Sequence, residues 1–222
     1  MLLAVDTSTA QIGLALYDGT QVPGEFVWHS GAHHTQELAP ALDELLKRVE
    51  VKINAITAIG VALGPGSFTS LRVGLAFVKG LALARHIPVV GVPTLDVVAA
   101  AIPLADRPLA AVVQAGRGRL AVGWYYAEAN GWQAEGPATV TTAEELVAKI
   151  HKPVLICGEL SASDRQRLAR KFKNVTLASP TQCVRRPGIL AELAWQKWEA
   201  GKTDAVASLA PIYLHVAGGL PA

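Results

Sequence analysis

The sequence predicts an α/β protein of two tandem lobes that share one internal plan. Three observations carry this. The first half runs β-β-β-α-β-α-β, and a similar order restarts after a proline-bounded break at residues 102–108. The segments Asp6-Thr7-Ser8…Ile12-Gly13-Leu14-Ala15-Leu16-Tyr17 and Gln114-Ala115-Gly116…Leu120-Ala121-Val122-Gly123-Trp124-Tyr125 line up at one constant offset, as an internal duplication does. A chain of 222 residues suffices for two small domains or one large one.

Each element has its own signal. Residues 2–6 are a short apolar run ending in a polar turn, the mark of a buried strand. Residues 11–17 form a second strand, closed by Asp18-Gly19, a hairpin signal, and residues 25–29 a third. Leu38, Leu42, Leu45, Leu46 and Val49 fall at helical spacing and predict a helix over 35–48, with Pro40 expected to kink its first turns. Residues 58–63 are strand-like, 70–85 helical and 89–92 strand-like. After the break, 109–114, 120–126 and 138–140 read as strands. A helix over 143–150, a strand over 154–158, a helix over 163–172 and a strand over 175–177 follow. A last helix over 189–199 places Trp195 and Trp198 on one face, and the tail 210–214 is extended. The division predicted is a lobe over 1–105 and a lobe over 106–222, the second carrying the last helix and tail. Each lobe reads as a ribonuclease-H-like unit, and two such units make the architecture of actin and the sugar kinases.

Composition excludes several classes. Net charge is +2, so no strong nucleic-acid field is implied. Cys157 and Cys183 form neither a Cys-x-x-Cys nor a disulfide framework, which fits a reducing cytoplasm. Met1 leads directly into a strand, without a secretory start. The longest apolar region, 81–105, is broken by Arg85, His86, Pro88, Pro93 and Asp96 and is no membrane span. Hydrophobic residues reach 51% and charged ones 17%, a balance that points to further burial between subunits, although Ala and Leu in helices explain much of it.

The densest motif is Gly64-Pro65-Gly66-Ser67-Phe68-Thr69, which joins a strand to a helix. Gly64 and Gly66 permit positive φ and Pro65 fixes its own, so the turn is tight. Thr69 is the expected N-cap. Free N–H groups at such a helix start attract anions, yet no Gly-Lys-Ser/Thr follows, so this is not a Walker A loop. Along the helix, Ala76, Gly80 and Ala84 recur every four residues, as do Ser70 and Gly74. Two internal glycines cost roughly 1 kcal/mol each against alanine, which suggests that backbones approach closely there. One small stripe is expected to meet the chain's own sheet.

In an actin-like fold, a carboxylate ending the first strand and one in the matching second turn flank a metal-bound phosphate. Asp6 fits the first position. Gln114 stands at the second, and a neutral amide lacks the anionic oxygen that Mg²⁺ favours. The candidate nucleotide or anion contacts are therefore Asp6, Thr7, Ser8, Gly66, Ser67 and Thr69, while Asp6 can equally bond turn N–H groups as an Asx residue. A two-metal nuclease needs further acids, and the fourth strand ends without one. His29 and His33 would share a face only in a helix, and their segment reads as a loop. Arg165, Arg167, Arg170, Lys171, Lys173, Arg185 and Arg186 form one basic concentration, read as a solvated face or a weak RNA contact.

The segments Leu3-Ala4-Val5-Asp6-Thr7-Ser8-Thr9, residues 37–46, 64–74 and 79–84, and Ile87-Pro88-Val89-Val90-Gly91-Val92 together resemble the TsaB family. These are dimerisation subunits of the bacterial machinery for tRNA threonylcarbamoyladenosine. The likeness covers about the first hundred residues well, and mainly layout and the tail Pro211-Ile212-Tyr213-Leu214 thereafter. The catalytic paralogue, TsaD, carries a metal-binding His-Leu-Glu-Gly-His where this chain has Thr94-Leu95-Asp96-Val97-Val98, and a hydroxyl and a valine cannot replace two imidazoles. Gln114-Ala115-Gly116-Arg117 departs from the Asp-Ala-Arg usual in the family, which puts any second-lobe role in doubt.

The resemblance implies a non-catalytic, cytoplasmic subunit with no resident metal. It implies no cofactor required by this chain, any ATP or ADP lying at a subunit junction of the complex. The implied partners are a TsaD-like catalytic subunit, a TsaE-like P-loop ATPase docking on the pair, and a second copy when the chain is alone. Contact with tRNA is indirect or weak. The implied interface is built from the helices 35–48 and 70–85, with Leu42, Leu46, Gly74, Leu75, Ala76, Val78 and Gly80 as its candidates. The alternative is a small actin-like ATP-dependent phosphotransferase using Asp6 and the Gly64–Thr69 turn.

Overall fold

A computed structural model describes residues 1–31, 33–171 and 173–214. The first sheet contains β1 (Leu2–Asp6), β2 (Gln11–Tyr17), β3 (Gly24–His29), β4 (Ala58–Ala62) and β5 (Val89–Val92), in the order β3-β2-β1-β4-β5. The first three strands form an antiparallel meander, and β4 and β5 add in parallel beside β1. Helix α1 (His34–Arg48) connects β3 to β4, α2 (Phe68–Arg85) connects β4 to β5, and α3 (Thr94–Ala100) follows β5.

The second sheet repeats that plan. It contains β6 (Leu109–Gln114), β7 (Leu120–Glu128), β8 (Gly131–Ala134), β9 (Thr139–Thr141), β10 (Val154–Gly158) and β11 (Val175–Leu177), in the order β11-β10-β6-β7-β8, with β9 also pairing with β7. Helix α4 (Ala143–Lys149) precedes β10, α5 (Ala162–Ala169) precedes β11, and α6 (Pro187–Glu199) comes last. The duplication is thus real at the level of topology, but the constant offset is not. Asp6 pairs with Gly13, whereas Gln114 pairs with Leu120, so the second turn is one residue tighter.

The pleat of the first sheet sorts side chains by size. One face presents Leu3, Val5, Ile12, Leu14, Leu16, Ile59, Val61 and Val89 to α1 and α2. The other presents mostly small residues, Ala4, Ala15, Ala58 and Ala62, to Ala191 and Ala194 of α6. A Cβ at Gly60 would lie 2.6 Å from the Ala194 Cβ, so the sheet and helix backbones approach too closely for anything larger. This corrects the sequence division: α6 packs on β1, β2, β4 and β5, not with the second lobe. The compact units are Met1–Val97 with Arg185–Ile212, and Val98–Val184 with the described residues Tyr213 and Leu214. Trp195 and Trp198 do share a face, stacked edge-on at 5.0 Å, with Tyr17 edge-on to Trp195 at 5.5 Å.

Smaller differences have local causes. β8 is absent from the sequence reading, although Asn130-Gly131 is the turn signal that announces it. The third strand predicted over 138–140 is β9, shifted by one residue. α3 is a helix that the sequence reading passed over. The predicted helix 163–172 ends at Ala169, and Phe172 lies outside the described residues. The tail reaches β4's end, where the Ile212 N–H donates to the Leu63 carbonyl at 2.7 Å. Among the described residues no helix is long and apolar enough to cross a membrane.

Candidate functional site

The turn after β1 is where the sequence places its chemistry, and the structure does bring most of those residues together. Asp6 is 2% exposed. Its Oδ1 accepts the Ser8 N–H at 2.8 Å, the Asx geometry expected of a short acidic side chain at a turn. Its Oδ2 accepts Nε of Arg185 at 2.8 Å, and Arg185 is as buried as Asp6. Arg185 also donates through Nη2 to the Thr9 hydroxyl at 3.0 Å and the Gln11 carbonyl at 3.2 Å. The carboxylate that would face a metal-bound phosphate is thus neutralised by the chain's own guanidinium.

The Gly-Pro-Gly loop closes on the same turn. The Ser67 N–H donates to the Ser8 carbonyl at 2.7 Å, and a Cβ at Gly66 would sit 2.0 Å from that oxygen, so only glycine allows the approach. Gly64 takes φ of +100°. Its N–H donates to the Thr94 hydroxyl at 2.9 Å, and its carbonyl accepts the Thr94 N–H at 2.8 Å. The Ser8 and Thr94 hydroxyls share a 2.6 Å hydrogen bond, and the Thr7 hydroxyl donates to the Ser70 carbonyl at 2.8 Å. Thr94, which stands where TsaD's first histidine is expected, is fully buried and ties three segments together. Val98, at the second histidine's place, lies in the apolar interior.

Helix α2 begins two residues before the predicted start. Its N-cap is Ser67, whose hydroxyl accepts the Ser70 N–H, and not Thr69, which is exposed on the first turn. Of the six candidate contacts, Asp6, Thr7, Ser8, Gly66 and Ser67 thus form one braced cluster, and Thr69 stands outside it. The polar groups of the cluster satisfy one another. Chemically the arrangement is a clamp that holds the start of α2 against the end of β1.

The interface candidates divide sharply. Leu42, Leu46, Leu75 and Val78 are buried in the core beneath α1 and α2. Gly74 is buried too, and a Cβ there would lie 2.0 Å from the Thr7 hydroxyl oxygen. These five pack within the chain, because the same apolar periodicity that marks an interface also marks a core face. Ala76 and Gly80 face outward; a Cβ at Gly80 would meet nothing within 4 Å. The structure adds two outward residues that the sequence reading did not single out, Leu83 at 64% and Phe68 at 53% exposure. The Arg72 guanidinium lies 3.6 Å over the Phe68 ring.

The basic concentration disperses. Arg185 is buried on Asp6, Arg186 pairs with Glu25, Arg167 pairs with Glu144, and Arg165 donates to the Ala178 carbonyl. Arg170, Lys171 and Lys173 remain near the end of α5. Sequence adjacency misled here because Arg185 sits on the segment that returns to the first sheet. His29 and His33 are exposed, whereas His34, which was not singled out, is buried with its Nε2 2.9 Å from the Thr9 carbonyl. Among the described residues no group of three His, Cys, Asp or Glu could hold a metal ion.

Two sheets of order 3-2-1-4-5 in tandem define a ribonuclease-H-like protein of the actin-like ATPase class. The chain belongs to the family described as TsaD, tRNA N6-adenosine threonylcarbamoyltransferase, whose model matches residues 29–194. Its near-full-length relatives are named as the tRNA threonylcarbamoyladenosine biosynthesis protein TsaB. That of Bacillus subtilis is 29% identical over 97% of this chain and 94% of its own length. That of Escherichia coli is 28% identical over 96% and 94%. Among solved structures, YeaZ from Pseudomonas aeruginosa superposes with a TM-score of 0.76 at 25% identity, over 96% of this chain and 99% of its own.

Proposed function

We propose that this chain is the non-catalytic, cytoplasmic subunit that pairs with a TsaD-type transferase and holds it competent to move a threonylcarbamoyl group onto the tRNA adenosine beside the anticodon. The near-full-length similarity to proteins named TsaB carries the reading. The closed turn supports its non-catalytic part: Asp6 is held by Arg185, and Thr94 and Val98 do structural work where the paralogue's metal ligands are expected.

The surface offered to the partner is the outward face of α2, marked by Ala76, Gly80 and Leu83. Small residues let a second helix approach, and the exposed Leu83 supplies apolar area. The same face joins two copies when no partner is present. A P-loop ATPase of the TsaE type docks on the pair, any nucleotide lies at a subunit junction, and tRNA is held chiefly by the other subunits.

The test is reconstitution. The chain alone, given tRNA and threonylcarbamoyl-adenylate, should give no modified adenosine, and adding a TsaD-type transferase should produce it. ATP hydrolysis or phosphotransfer by the isolated chain, lost in Asp6→Asn, would instead establish the phosphotransferase.

A further inference from the structure

The second lobe holds a thiol pair that the proposed function does not use. Cys157 lies on β10 and is buried; Cys183 lies on the turn that follows β11 and is half-buried. Both are free, and their sulfurs are 3.9 Å apart; the Cys157 S–H reaches both Cys183 and, at 3.6 Å, the Gln182 carbonyl, while the Cys183 sulfur lies 3.7 Å from the Ala178 carbonyl. The turn that carries Cys183 is short and closed on itself, the Cys183 N–H reaching the Ser179 and Pro180 carbonyls. Arg165 brings Nη1 to 3.9 Å from the Cys183 sulfur while its Nη2 is anchored on the Ala178 carbonyl at 2.7 Å.

These neighbours divide the labour between the sulfurs. The hydrogen bond from Cys157, then the Gly158 backbone N–H and the Arg165 guanidinium, bring the Cys183 thiol down to about 6 against the opposing effect of burial. Donating that hydrogen bond, and burial, push Cys157 up. Cys183 is thus the more acidic and the more accessible of the two thiols, with Cys157 directly beside it. The thiolate is the nucleophilic form of cysteine, and a reachable thiolate next to a second thiol is the arrangement of a redox-responsive site.

We propose that Cys183 and Cys157 form a peroxide-responsive pair that closes to an intramolecular disulfide and staples the 179–183 turn onto β10. The Cys183 sulfur attacks one oxygen of hydrogen peroxide, the O–O bond breaks, and hydroxide leaves, giving a sulfenic acid. The Cys157 sulfur then displaces hydroxide from the Cys183 sulfur, and its thiol proton leaves with that hydroxide as water. The hydroxide of the first step takes up the proton that Cys183 gave up, so two thiols are oxidised to one disulfide and one peroxide is reduced to two waters. The turn must shift enough for the sulfurs to close to about 2 Å.

The experiment uses the full chain and stoichiometric hydrogen peroxide, read by non-reducing peptide mass spectrometry after alkylation. The expected product is a Cys157–Cys183 linked peptide in a monomeric chain, lighter by two hydrogens and restored by dithiothreitol. In Cys157→Ala, Cys183 should be trapped as a sulfenic acid by a 1,3-dione; in Cys183→Ser, Cys157 should stay reduced. Alkylation of the reduced chain should follow a midpoint near 6 that rises in Arg165→Gln. The proposal is overturned if both thiols survive peroxide, if disulfides form only between chains, if Cys157 is the sulfur that reacts first, or if Cys183 goes on to a sulfinic acid while Cys157 stays free.

Discussion

After β1 the chain turns through Thr7, Ser8 and Thr9, all buried; after β6 it turns through residues 115–119, where Gly116, Arg117 and Gly118 are exposed at φ of 74°, 53° and 69°. The two turns hold the same place in two copies of one topology. In the first, the strand-end carboxylate meets Arg185, and the neighbouring hydroxyls bond to the Gly-Pro-Gly loop and to Thr94. In the second, the strand-end residue is Gln114, whose amide makes a long 3.4 Å bond to the Glu159 carbonyl. A polar turn at a strand end is therefore not by itself a ligand site. What decides its role is where its hydrogen-bond partners come from, and in the first lobe they come from the chain.

The largest effect expected from this contrast is on stability. Arg185→Ala leaves Asp6 buried without its counter-charge and should cost about 3–5 kcal/mol by chemical denaturation. Gln114→Ala, at the matching position, removes one weak hydrogen bond and should cost less than about 1 kcal/mol. Equal costs would break the comparison. Next come the two glycines of α2. Gly74→Ala drives a Cβ onto Thr7 and should cost roughly 1–3 kcal/mol by overpacking. Gly80→Ala meets open space and should stabilise by up to about 1 kcal/mol through helix propensity. Thermal melts of the pair read the opposite signs directly.

Thr94→Val keeps the shape but strands the Gly64 N–H, and should cost roughly 1–2 kcal/mol, measurable as a lower denaturant midpoint with unchanged slope. The smallest effect belongs to the second lobe's own polar brace, at the start of α4. There the Thr142 N–H and the Thr141 hydroxyl hold the Glu145 carboxyl below its ordinary value. A carboxyl lowered on folding stabilises above its unfolded pKa, and that contribution fades as pH falls through the folded value. Glu145→Gln should therefore lower stability slightly near neutrality and flatten the acid limb, the two profiles converging as pH falls below the folded value.

Much of this was legible in the residues. Apolar runs and turn signals located β1, β2, β4, β5, β6 and β10, because a strand buried on both faces leaves a short unbroken run. Burial order was not legible. Leu42, Leu46, Leu75 and Val78 read equally well as core or interface, and only the fold shows that α1 and α2 lay them on the first sheet. Arg185 carried no signal at all, since a buried guanidinium and a solvated one look alike within a basic run. The return of α6 to the first sheet was written in the small residues Ala4, Ala15, Gly60 and Ala62, whose meaning depends on which helix lies over them.

The central claim is that this chain acts by docking, through the outward face of α2, and not by chemistry at the braced turn. Titrating a TsaD-type transferase with the wild-type chain and with Gly80→Leu, while following threonylcarbamoyl transfer to tRNA, tests it most directly. The expected result is one common plateau, reached by Gly80→Leu only at a concentration at least tenfold higher, with its fold intact by thermal melt. Superimposable titrations, or transfer to tRNA by the chain without any transferase, would contradict it.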